Sequence, residues 1–173
     1  AQEGFINFGW RGWEGTIPTS VIKDCSSNPS LDEKSIVYYD EAIKTSVQRL
    51  LPLTTYYHQD PRPNKFGGSA LTAVQAYSGY EIPSLTGSVV FTDFAQNEDA
   101  PPPKRGVLAY TRISTDRKLH DFSVIETDYD FGDASAYYVS LGTNLNQTRL
   151  YLGVYGSMNV AEYNQGTIFE IVP

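Results

Sequence analysis

Val107-Leu108-Ala109-Tyr110 and Leu150-Tyr151-Leu152-Gly153-Val154 are the two runs that decide the fold. Successive side chains of a strand point to opposite faces, so a run that is apolar throughout is apolar on both. A sheet with one wet face would alternate instead. Both runs therefore call for sheets stacked face to face, as in propeller blades. Outward from them, strands are expected at Leu71–Tyr77, Ser88–Phe94, Gly106–Ser114, Asp121–Thr127, Ala136–Leu141, Thr148–Tyr155 and Thr167–Val172. Gly67-Gly68, Ser78-Gly79, Pro83, Pro101-Pro102-Pro103, Gly132, Asn144 to Asn146 and Gly156 punctuate them. Short strands separated by polar turns point to a sandwich, a barrel or a propeller. Gly87-Ser88-Val89-Val90-Phe91, Gly106-Val107-Leu108-Ala109-Tyr110 and Gly166-Thr167-Ile168-Phe169-Glu170-Ile171 share one pattern, which reads as hairpin repetition.

The front of the chain differs. Asn7-Phe8-Gly9-Trp10-Arg11-Gly12-Trp13-Glu14-Gly15 has the chemistry of a tight turn with two large anchors. It has the character of the middle of a β architecture, so the chain is expected to start partway through a larger β-rich fold. Residues 16–52 read as an irregular and helical insertion within a single domain spanning 1–173. Asp40 can cap a short helix from Glu41 to Leu51, with Ile43, Val47, Leu50 and Leu51 on one face and Pro52 ending it. The expected class is thus all-β with one short inserted helix.

Composition narrows the function. Forty per cent of the residues are hydrophobic and 19% charged, which is the make-up of a folded domain. The formal net charge is -7 and the basic residues form no stripe, which argues against nucleic acid as a partner. No apolar run approaches the length of a bilayer span. A single cysteine, Cys25, leaves no internal disulfide and no cysteine metal cluster.

Few residues invite chemistry. His58, in the polar loop Tyr57-His58-Gln59-Asp60-Pro61-Arg62-Pro63, is a candidate ligand-binding residue, the alternative being a loop histidine bonded to nearby backbone. His120, after Asp116-Arg117-Lys118-Leu119, reads as a solvated turn. Lys104-Arg105 is either an anion-facing pair on a rim or a charged strand start that protects an edge. Asp93, Asp128, Asp130 and Asp133 have no regular calcium-loop spacing and read as turn carboxylates. Trp10 and Trp13 are structural anchors or, alternatively, sugar-stacking rings. Asn146-Gln147-Thr148 has the pattern of a glycosylation sequon. No serine–histidine–acid set, cysteine–histidine pair or phosphate-cradling glycine loop can be assembled, so no catalytic residue and no metal ligand is assigned.

Four segments, taken in order, resemble the C-terminal half of the glucose/sorbosone dehydrogenase family of soluble quinoproteins. Asn7-Phe8-Gly9-Trp10 is similar to its Asn-Tyr-Gly-Trp turn. Gly67 to Gly79 followed by Ile82-Pro83-Ser84-Leu85-Thr86-Gly87-Ser88-Val89-Val90-Phe91-Thr92-Asp93-Phe94 is similar to its Pro-x-Leu-x-Gly and Phe-x-Asp-Phe stretch. Lys104-Arg105-Gly106-Val107-Leu108 resembles the strand that follows, and Leu150-Tyr151-Leu152 through Ile171 the final hairpin.

The resemblance implies a six-bladed propeller, about three blades of it here, carrying pyrroloquinoline quinone (PQQ) with calcium nearby and a histidine base. The family's base and most of its calcium contacts precede the Asn-Tyr-Gly-Trp turn, so this chain is expected to be a fragment that is not catalytic alone. Lys104 carries over as a cofactor-binding cation, with Arg105 beside it as the second candidate, while His58 and Trp10 are the candidate substrate-binding residues by their own residue type and setting. The paired arginines ahead of the penultimate strand have no counterpart in Asp130-Phe131-Gly132-Asp133-Ala134-Ser135-Ala136. The expected partners are a small sugar and either a second copy or a missing N-terminal half. A periplasmic or extracellular location follows from the family. A non-catalytic module binding carbohydrate or protein is the alternative.

Overall fold

A computed structural model describes residues 13–14 and 17–18 by their backbone, and 51–58, 65–96, 102–116, 118–156 and 163–173 in full. The expected helix at Glu41–Leu51, the Asn7–Trp10 turn and nearly all of the 16–52 insertion lie outside the described residues. The chain divides into two compact units, residues 1–55 with 117–119, and residues 56–116 with 120–173. In the first, β1 (Trp13–Glu14) pairs antiparallel with β2 (Ile17–Pro18).

The second unit is all-β. Its first sheet has the order β3 (Leu71–Tyr77), β4 (Ser88–Asp93), β5 (Val107–Arg112) and β6 (Ser123–Ile125), each strand antiparallel to the one before. Its second sheet has the order β7 (Tyr137–Thr143), β8 (Leu150–Tyr155) and β9 (Gly166–Ile171), again antiparallel throughout. All seven expected strands are present, with ends moved by a few residues. The repeat between Gly87–Phe91 and Gly106–Tyr110 resolves into β4 and β5, neighbours in one sheet rather than counterparts in separate sheets. Two sheets and a hairpin are thus described where about three blades were expected, and neither sheet closes on itself. A 3-10 turn at Pro83–Leu85 leads into β4, with proline where a missing N–H costs nothing.

The sheets pack face to face; the Val107–Tyr110 run is covered on both sides, whereas the Leu150–Val154 run, expected to be covered on both, is packed through Leu150, Leu152 and Val154 on one. Tyr77, Val90 and Leu108 from the first sheet meet Tyr138, Leu150, Leu152 and Val154 from the second, and Ile82 and Leu85 seal one end. Each fully buried aliphatic side chain here contributes about 1.5–3 kcal/mol. The opposite face of the first sheet carries a second core of Phe66, Phe91, Val107, Ala109 and Phe122, with Tyr56 and Val124 packed on it. Phe122 stands edge-on to Phe66 and Phe91 at 5.6 and 5.7 Å, a geometry that sets ring edges against ring faces. Strands β4 and β5 are therefore buried on both sides.

Hydrogen bonds stitch the sheets along one seam. The Gly106 N–H donates to the Ala136 carbonyl at 2.7 Å, and the Ala136 N–H to the Lys104 carbonyl at 2.9 Å. The Thr72 hydroxyl donates to the Tyr138 carbonyl at 2.7 Å. A side chain at Gly106 would collide with the Tyr138 ring, so only glycine lets the two backbones approach this closely. At the far end, the Tyr77 hydroxyl reaches the Thr148 carbonyl at 2.5 Å and accepts from the Ile82 N–H at 3.1 Å.

Candidate functional site

The residues of interest converge on the end of the sheets where β3 starts, β4 finishes, and β5 and β7 start. The organiser is Asp93, which is 0% exposed. Its Oδ1 accepts from the Ser69 N–H at 2.9 Å and the Ala95 N–H at 3.0 Å, while its Oδ2 accepts from the Tyr56 hydroxyl at 2.7 Å. A buried carboxylate is costly unless its lone pairs are filled, and here three strong donors fill them. Any side chain at Gly68 would strike the Asp93 carboxylate and the Tyr56 ring. Burial, together with the Asp93 carboxylate, raises the Tyr56 phenol well above its ordinary range and keeps it a proton donor.

This pin holds the segment that carries His58. The His58 Nδ1 lies 2.8 Å from the Gly68 carbonyl. A carbonyl only accepts, so Nδ1 carries the proton, and in the neutral ring Nε2 is left as an acceptor on an exposed side chain. Gly68 bridges to Gln96, and the Gln96 N–H donates to the Arg105 carbonyl at 2.7 Å. Two backbone links therefore place His58 on the same rim as Lys104 and Arg105. Of the expected substrate residues, Trp10 lies outside the described residues.

Arg105 is a clamp. Its Nη1 donates to the Lys104 carbonyl at 3.0 Å and to the Ala134 carbonyl, and its Nη2 donates to the Gly132 carbonyl at 2.6 Å. The guanidinium also rests 5.7 Å from the centre of the Phe131 ring. The charged strand start thus ties down the loop before β7. Lys104 is half-buried and its backbone belongs to the seam, with its N–H donating to the Ser135 hydroxyl at 3.0 Å.

A cation that sequence reasoning missed is Lys65. It pairs with Asp121 at 2.7 Å, donates to the Phe122 carbonyl, and lies 4.2 Å from the centre of the Phe122 ring. Nothing in its sequence neighbourhood signalled this, because its partners are distant in the chain. Asp93, read from the sequence as a turn carboxylate, is instead a buried residue at the end of β4, and its one sequence signal was its place in the apolar Phe91-Thr92-Asp93-Phe94 run. His120 pairs with Asp116 at 2.7 Å on the surface, in keeping with a solvated turn.

Quinone and calcium can be tested against these side chains. A polycarboxylate quinone needs several cations with free donors. The Arg105 fork is committed to three carbonyls, and the adjoining 128–133 loop adds three aspartates and no basic residue. Among the described residues, no three histidine, cysteine, aspartate or glutamate side chains gather as a metal site; Asp93 is buried, while Asp128, Asp130 and Asp133 are exposed. Within the described rim, the Arg105 fork is thus already engaged by backbone carbonyls. No helix among the described residues is long and apolar enough to cross a membrane. No protein-family model, curated protein or solved structure matches this chain.

Proposed function

We propose that this chain contributes adjacent blades to a propeller of the glucose/sorbosone dehydrogenase type, as a C-terminal fragment that does not catalyse sugar oxidation by itself. The observation that carries the reading is the pair of consecutive up-and-down sheets stacked face to face. The chain passes from β6, at the far edge of the first sheet, to β7, which lies against β3 and β4. That is the order in which one blade hands over to the next. Any base and metal ligands belong to other blades, and the rim here supplies a scaffold with His58 facing solvent.

The outer face of β7–β9 supports the second part of the reading, self-association or docking of further blades. Ile168 is 77% exposed there, Tyr151 and Tyr155 are half-buried, and a Cβ added at Gly142 or Gly166 would meet nothing within 4 Å. Ser140 and Glu170 share this face, and its apolar part around Ile168 is a natural place for another sheet. A periplasmic or extracellular location accompanies the dehydrogenase reading.

Titration of the chain with calcium and PQQ, followed by quinone absorbance and thermal shift, tests the proposal. No saturable binding and no stabilisation are expected. Tight stoichiometric binding would mean that the chain holds a complete cofactor site. A second reading, a carbohydrate- or protein-binding module whose quinone site has been lost, draws on the commitment of Arg105 to backbone carbonyls. A histidine-bearing blade with calcium ligands encoded upstream in the same reading frame favours the enzyme reading, and its absence favours the module.

A further inference from the structure

We propose that Tyr129, backed by Phe131 and Phe169, is a docking face for an arginine side chain of a basic partner segment. The three rings form a closed set, with centroids 4.8 Å apart for Tyr129–Phe131, 4.7 Å for Tyr129–Phe169 and 5.7 Å for Phe131–Phe169. Phe169 on β9 anchors them to the core, whereas Tyr129 is 56% exposed. An aromatic face held rigidly at the surface loses little freedom when a ligand covers it.

Two independent features choose a guanidinium as the ligand. The first is an internal precedent: the Arg105 guanidinium already sits over Phe131 while donating to the Gly132 and Ala134 carbonyls of the same loop. The second is charge. From 121 to 148 the chain has five carboxylates, at Asp121, Glu126, Asp128, Asp130 and Asp133, and no lysine or arginine. Asp121 is taken by Lys65, but Asp128 and Asp130 flank Tyr129 directly, and Glu126, Asp128, Asp130 and Asp133 are all exposed. A cation over the ring gains from the π-face and from the carboxylates beside it, and arginine adds a planar fork suited to both. The Arg105 guanidinium offsets one of these charges, and the four exposed carboxylates still leave the loop net negative, a field that a neutral sugar would not answer.

The test is titration of the full chain with acetyl-Gly-Arg-Gly-Arg-Gly-amide and with its citrulline counterpart, read by amide chemical shifts. Shifts centred on 126–133 are expected with the arginine peptide, weakening as salt rises, and none with citrulline. Tyr129→Ala is expected to weaken binding roughly two- to fivefold and Tyr129→Phe to retain it, both with unchanged circular dichroism. Asp128→Asn combined with Asp133→Asn, which leaves every ring in place, is also expected to weaken it. Equal binding of the two peptides, shifts elsewhere on the surface, indifference to Tyr129→Ala, or shifts at Tyr129 with maltohexaose and none with the arginine peptide would each overturn the proposal.

Discussion

The two sheets of the larger unit share a topology but differ in how they are finished. The first is sandwiched: one face meets its neighbour, and the other carries the aromatic core of Phe66, Phe91 and Phe122 under Tyr56. The second is packed on one face, and its other face shows Ile168 to solvent. Stability should therefore be concentrated in the first sheet and association in the second. Substitutions at matched positions can break that contrast or sharpen it.

The largest effect is expected for Phe91→Ala, which leaves a void against the Tyr56 and Phe122 rings. A loss of about 3–5 kcal/mol in denaturant unfolding is expected, and a loss below about 1 kcal/mol would show that the second core is loosely packed. Asp93→Ala comes next. It strands the Ser69 and Ala95 N–H groups and the Tyr56 hydroxyl, and a loss of about 3 kcal/mol is expected. Arg105→Met removes the clamp on the loop before β7, with an expected loss of about 1–2 kcal/mol. It should also quicken amide exchange around 132–136, a change that Ile168→Ala should not produce.

Tyr56 gives the contrast a pH signature. Its phenol is raised above the ordinary value of 10.0 in the folded chain. The native state thus holds a proton that the unfolded chain releases above about pH 10. The contribution is fully present below that pH and is lost as pH rises beyond it. Tyr56→Phe should flatten the alkaline decline in stability relative to the parent chain, and identical profiles would refute the pin. At the small end of the scale, Ile168→Ala is expected to change stability by less than about 0.5 kcal/mol.

How much of this was legible in the sequence follows from the range of the forces involved. Strand positions were readable because alternation and doubly apolar runs are local, and Val107-Leu108-Ala109-Tyr110 announced two buried faces directly. The sheet membership of β4 and β5 was not readable, since one motif serves neighbours in a hairpin as well as counterparts in successive blades. The rim was only half legible. His58 and Lys104–Arg105 stood out by residue type, but the role of Arg105 depends on carbonyls at Gly132 and Ala134, far along the chain. The Asp93 pin was hidden for the same reason: Tyr56 and Asp93 are 37 residues apart, and no periodicity links them.

Under the proposed function, the second sheet receives another sheet on its outer face. Sedimentation velocity over a hundredfold concentration range, on the parent chain and on Ile168→Lys, tests this directly. Reversible association of the parent chain and a monomer for the variant are expected, with both equally stable to denaturant. A parent chain that stays monomeric at the highest concentration would contradict it.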